Sequence, residues 1–233
     1  MAMSATGEYI PPMRTFPRKR MNEALKVGAP ERSIFACNES VWSTTNTFST
    51  WFDHFVAKTK PTEKSPVHLI LDGHSSHTEN VEVLEKAEKE QVRILSIPPH
   101  TSHRLQPLDV TFMGPLKSSY TKALEKFQKE NIGKTVKIFN VAAVINSAYS
   151  ASASISTAKN GFQATGISPY NRHIFTAKDY EASDFLIANP LNDVVDNHPG
   201  NYNDLNVDAQ DFDGSMHFTE PIDQSTDKTS GNK

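Results

Sequence analysis

The sequence predicts an α/β fold on three observations. Val67–Leu71 is a short, nearly continuous apolar run that ends on Asp72-Gly73. A second such run covers residues 92–97 and is stopped by Pro98-Pro99. Between them lies a stretch with helical apolar spacing at Val81, Val83, Leu84 and Ala87. Apolar runs of this length suit strands buried in a parallel sheet. The order strand, helix, strand implies a right-handed crossover between parallel neighbours.

The flanking elements follow from spacing. Phe48, Trp51, Phe52, Phe55 and Val56 stand at i, i+3, i+4, i+7 and i+8, which predicts a helix over residues 47–59 with an aromatic core face. Pro61 and Pro66 bracket the loop before the first strand. Ser76-His77-Thr78-Glu79 has the form of a capping box and would open a helix reaching about residue 90. Longer helices are predicted at about 110–130 and 136–152. Shorter helices and turns are predicted at 153–181, broken by Gly161, Gly166 and Pro169.

Composition narrows the class. The 233 residues carry 24 Lys+Arg and 27 Asp+Glu, but unevenly. Residues 1–180 hold 22 basic and 16 acidic side chains, a charge of +6. Residues 181–233 hold 2 and 11, a charge of −9, in an Asn/Asp/Ser/Gly-rich stretch without apolar periodicity. This divides the chain into a domain at 1–180 and an acidic tail at 181–233 that is expected to be disordered. A single cysteine, Cys37, excludes a disulfide framework and any Cys-rich zinc module, and it suits the reducing cytosol or nucleus. No apolar run approaches the roughly 18 residues of a membrane helix, so no membrane partner is expected. The N-terminus lacks the basic and apolar regions of a signal peptide.

Parallel strands deliver ligand-binding loops to one sheet edge. Here those loops are Asp72-Gly73-His74-Ser75-Ser76-His77 and the stretch from His100 through His103, Arg104 and Gln106 to Asp109. Two chemistries compete for them. Asp72 and Asp109 would suit Mg²⁺ or Mn²⁺, hard ions that prefer carboxylate oxygen and serve phosphoryl transfer. The two His-x-x-His pairs, His74/His77 and His100/His103, would suit zinc, although no helical His-Glu-x-x-His motif is present. The histidines are as well suited to orienting carboxylates or contacting phosphate. Among the basic residues, Arg14, Arg18, Lys19 and Arg20 form a run that could track a nucleic-acid backbone. Trp42 and Trp51 read as core residues.

These loops carry a resemblance. The segment His68-Leu69-Ile70-Leu71-Asp72-Gly73-His74-Ser75-Ser76-His77 resembles the second catalytic-aspartate motif of pogo/Tigger-type DDE transposases. The segment Pro98-Pro99-His100-Thr101-Ser102-His103-Arg104-Leu105-Gln106-Pro107-Leu108-Asp109, leading to Pro115-Leu116-Lys117, resembles the motif with their third acid. Ala5-Thr6-Gly7-Glu8-Tyr9-Ile10-Pro11-Pro12 and Gly161-Phe162-Gln163-Ala164-Thr165-Gly166-Ile167-Ser168-Pro169-Tyr170-Asn171-Arg172 match further motifs in family order. Thirty-six residues separate Asp72 from Asp109, a spacing the superfamily tolerates.

The resemblance implies an RNase H-like mixed sheet flanked by helices. It also implies an endonuclease or transposase chemistry on DNA in the nucleus, with Mg²⁺ or Mn²⁺ as cofactor. Asp72 and Asp109 then become catalytic residues and metal ligands, while Arg14, Arg18, Lys19, Arg20, Arg104 and Lys117 become candidates for nucleic-acid contact. The family's first Asp lies on the sheet's first strand, upstream of the Ala5–Pro12 motif, and Glu8 belongs to the later motif. The chain is therefore expected to be an N-terminally truncated, catalytically incomplete domain without its first strand or the usual helix-turn-helix modules. A non-catalytic DNA-associated interaction module is the alternative, and a histidine-based zinc hydrolase the remote one.

Overall fold

A computed structural model describes residues 1–39, 44–176 and 178–179. The acidic tail and Trp42 lie outside the described residues.

The chain opens on a tight antiparallel hairpin, β1 (Ala2–Met3) with β2 (Tyr9–Ile10), pairing Ala2 with Ile10 and Met3 with Tyr9. Its turn needs Gly7, which has φ +103° and sits so close to Ile155 that a Cβ would lie 2.5 Å from Cγ2. Next come β3 (Met13–Phe16) and β4 (Ile34–Cys37), a parallel pair in register Met13 to Ile34. The link between them includes a 3₁₀ turn over Glu23–Lys26, anchored by fully buried Leu25.

Helix α1 (Thr45–Thr59) forms as its aromatic period predicts, and Phe48, Trp51, Phe52 and Phe55 are all buried. Thr44 and Thr47 cap each other reciprocally at its start. The predicted parallel pair follows as β5 (Val67–Leu71) and β6 (Val92–Ser96), in register from Val67–Val92 to Leu71–Ser96.

The crossover between them departs from expectation. One helix was predicted from the Ser76–Glu79 capping box; the chain instead makes a single turn, α2 (Ser75–Thr78), and a separate α3 (Val81–Lys89). The cap is Asn80, only 2% exposed, whose Oδ1 accepts from Val83 N–H at 3.2 Å. Its amide also donates to Thr45 O at 3.2 Å and to Ser49 Oγ at 3.1 Å, so one side chain caps α3 and ties it to α1. A hydroxyl at Ser76 offers no such second anchor. Asp53 and Lys86 form a further ion pair between the same two helices.

After β6 come α4 (Ser102–Leu105), a π turn at Leu108–Phe112, α5 (Met113–Glu130), α6 (Val141–Ser152) and α7 (Ile155–Ala164). The π turn precedes Pro115, which has no N–H for the carbonyls behind it, and widening the preceding turn accommodates that loss.

Two hydrophobic cores result. One gathers Phe48, Trp51, Phe52, Phe55, Leu69, Leu71, Val83, Ala87 and Val92; the other gathers Phe112, Leu116, Tyr120, Val141, Val144, Ile145 and Ala148. Ala2 and Ile10 face the first, whereas Met1, Met3 and Tyr9 face the second, as alternation along the hairpin requires.

The α/β class holds. The expected single mixed sheet is replaced, among the described residues, by three two-stranded sheets: β1–β2, β3–β4 and β5–β6. The physical reason is a groove. Residues of β1 and the whole of β5 line the same cavity of about 640 Å³, so their outer edges cannot hydrogen-bond to each other across it.

Candidate functional site

Asp72 directly follows β5, where the ladder makes its last contact, Ile97 N–H to Leu71 O at 2.9 Å. Its carboxylate is partly buried, and Oδ1 accepts a hydrogen bond from His77 Nδ1 at 2.7 Å, with a longer one from His74 N–H at 3.4 Å. The single turn of α2 carries His77 back over the strand end. Phe48 of α1 then supports the imidazole, with ring centroids 4.3 Å apart, while the His74 ring lies 5.4 Å away on another side. An aromatic core helix thus orients the histidine that orients the acid.

The His77 hydrogen bond holds the Asp72 carboxyl below its ordinary range, against the opposing effect of burial. A carboxyl depressed in the folded state adds stability above its unfolded pKa, and that stability is lost as pH falls through the folded value. A His77→Phe chain should therefore show Asp72 titrating at higher pH, with a flatter acid limb in its stability profile. Carbon-13 carboxyl NMR reads the first directly; an unmoved Asp72 titration would show that His77 does not set its charge.

Asp109 stands in the first turn of the π segment, its N–H donating to Gln106 O at 3.0 Å. Gln106, Pro107 and Leu108, immediately before it, line the same groove as Asp72 and His77. The fold thus delivers the two predicted acids along one groove, Asp72 within its lining and Asp109 next to it. Glu8, exposed after the Gly7 turn, also lines the groove.

Among the described residues, no group of three or more His, Cys, Asp or Glu side chains is placed to hold a metal ion. Asp72 and Asp109 supply the hard oxygen donors that Mg²⁺ and Mn²⁺ favour, but they do not assemble a metal centre with the other described residues. His74, His77, His100 and His103 do not converge into a zinc site either. His100 instead holds a left-handed backbone with φ 61° in the loop after β6, and His103 is exposed on α4.

The basic residues divide. Arg18, Lys19 and Arg20 are exposed beyond β3, with Lys19 3.2 Å from Glu39 and the Arg18 guanidinium 5.8 Å from the Phe139 ring centroid. Lys117 is exposed on α5. Arg104 Nη2 donates to Asp179 Oδ1 at 2.7 Å, tying α4 to the end of the described chain. Arg14 differs from its neighbours in the run: its side chain lines the groove, and its Nε is buried without a hydrogen-bond partner. Strand alternation, which separates Arg14 from the loop residues after Phe16, is the signal that could have set it apart.

No single helix among the described residues is long and apolar enough to cross a membrane. No solved structure matches the chain. Among curated proteins, the MFS-type transporter clz9 of Cochliobolus lunatus is 27% identical over 181 residues, which cover 76% of this chain and 19% of that protein. The chain therefore spans about a fifth of the length of that relative. Residues 2–162 match the family model described as DDE superfamily endonuclease, taking in the strand-end aspartate, its histidine and the acid after the second strand. By that match over most of its length, the chain belongs to the DDE superfamily endonucleases.

Proposed function

We propose that the chain forms part of the catalytic face of a transposase-type, RNase H-like nuclease domain that acts on DNA in the nucleus. The observation that carries this reading is Asp72, set at the end of a parallel strand and held ionised by His77 beside the segment leading into Asp109. Asp72 and Asp109 are the carboxylates that would contribute to a Mg²⁺ or Mn²⁺ site once a third acid joined them. Arg18, Lys19, Arg20, Arg104 and Lys117 provide exposed positive charge for the phosphate backbone. Arg14 is better placed to act inside the groove. The modest charge of residues 1–180 makes DNA binding weak and steeply dependent on salt.

The small number of gathered acids supports a second reading, in which this polypeptide associates with DNA without cleaving it. Two-metal strand cleavage needs ligands that hold both ions against the attacking and leaving oxygens. Plasmid nicking with Mn²⁺ should accordingly stay at background both for this chain and for its Asp72→Ala variant. Metal-dependent nicking that disappears in Asp72→Ala would mean that the present acids suffice and that the catalytic centre is complete.

A further inference from the structure

The groove beside Asp72 has walls of an unusual kind. On one side runs the outer edge of β5, whose five residues all line the cavity and which pairs only with β6 among the described residues. On the other side runs β1, paired only with β2. A strand edge offers a row of backbone donors and acceptors, and such edges are usually covered or blunted. This one is neither: no proline or bulge interrupts Val67–Leu71.

A second observation is independent of the backbone. Three buried side-chain atoms have no hydrogen-bond partner, Arg14 Nε, Trp51 Nε1 and Gln106 Oε1, and all three residues line this groove. Buried polar groups are almost always satisfied, so three exceptions around one cavity mark a missing polar partner. Two of these atoms are donors and one is an acceptor, a mixture that peptide groups can meet. Arg14 asks for more. No carboxylate among the described residues pairs with it, and burial pulls its pKa down to about 10. A carboxylate from outside would answer that charge.

We propose that the groove receives an extended strand from a polypeptide segment outside the described residues, apolar at alternate positions and carrying one acidic side chain directed at Arg14. The strand adds to the free edge of β5 by main-chain hydrogen bonds, its apolar side chains meet the wall around Phe48 and Trp51, and its carboxylate pairs with Arg14. This inference stands on the groove and not on the nuclease reading; it can be tested in metal-free buffer, where failure of one leaves the other untouched.

The probe is a capped nine-residue peptide of alternating Val and Thr with a central Asp, added to the full chain carrying Trp42→Phe, so that Trp51 alone reports binding by fluorescence. Saturable binding is expected. Replacing the peptide Asp by Asn should weaken it about tenfold, the scale of one charge-assisted hydrogen bond. N-methylation of alternate backbone amides on the ladder side should weaken it by a further factor of ten or more, on the order of one to two lost hydrogen bonds. In an Arg14→Met chain the difference between the Asp and Asn peptides should vanish.

Equal binding of the methylated peptide would overturn strand addition, and that comparison needs no variant at position 14. Tighter peptide binding in a chain carrying Phe185→Ser and Ile187→Ser would overturn the outside origin, because the chain's own tail would then be the competitor. A peptide-free dimer in sedimentation that the peptide dissolves would assign the groove to a second copy instead.

Discussion

Phe112→Ala is expected to cost about 4 kcal/mol of stability, the range for emptying a fully buried phenylalanine site. Phe112 is 0% exposed and packs against Tyr9, with centroids 5.5 Å apart, and edge-on to Tyr149 at 6.2 Å. Two aromatic contacts are lost together, so relaxation of a single neighbour cannot refill the space. Phe112 also closes the π turn that carries Asp109, so the loss should spread to that acid's position. Urea unfolding measures it as a lower midpoint with little change in slope. A loss under about 1 kcal/mol would mean that the site collapses readily and that this core is less tightly formed than its burial indicates.

The second large effect concerns one hydrogen atom. In Gly161→Ala the new Cβ would lie 2.6 Å from Thr111 Oγ1, 2.7 Å from Pro107 O and 2.9 Å from Met3 Cε. The methionine can swing aside, but the proline carbonyl is backbone and cannot. Thr111 Oγ1, meanwhile, donates to both Pro107 O and Thr157 O, which clamps α7 against the π turn. Overpacking of this kind typically costs 1–3 kcal/mol, and backbone displacement puts this case at about 3. Met3→Ala should fail to rescue the Gly161→Ala chain in thermal unfolding. Full rescue would mean that the methionine, not the carbonyl, sets the limit.

Much of this arrangement was legible in the sequence because it rests on strong local patterns. Val67–Leu71 reads as a buried strand because apolar continuity and the Asp72-Gly73 stop agree, and the aromatic period of α1 admits only one face. The two acids were legible from the motifs around them. What local pattern could not supply was competition between elements. Asn80 displaces the Ser76 capping box because it also bonds to α1, a partner thirty-five residues back. The π turn arises where Pro115 and the close approach of Gly161 act on the same few residues. The inward side chain of Arg14 depends on β3 bordering the groove, which no charge run can reveal.

The hairpin at the start of the chain has a consequence for cooperativity. Its alternating residues wall both cores, Ala2 and Ile10 on one side and Met3 and Tyr9 on the other. Coupling between the two halves of the molecule therefore runs through two cross-strand pairs that contain no more than four residues. A disturbance that frays β1 does more than release a terminus: it removes the partition through which each half senses the other's packing. The N-terminal strand thus decides whether the domain melts as one unit or as two.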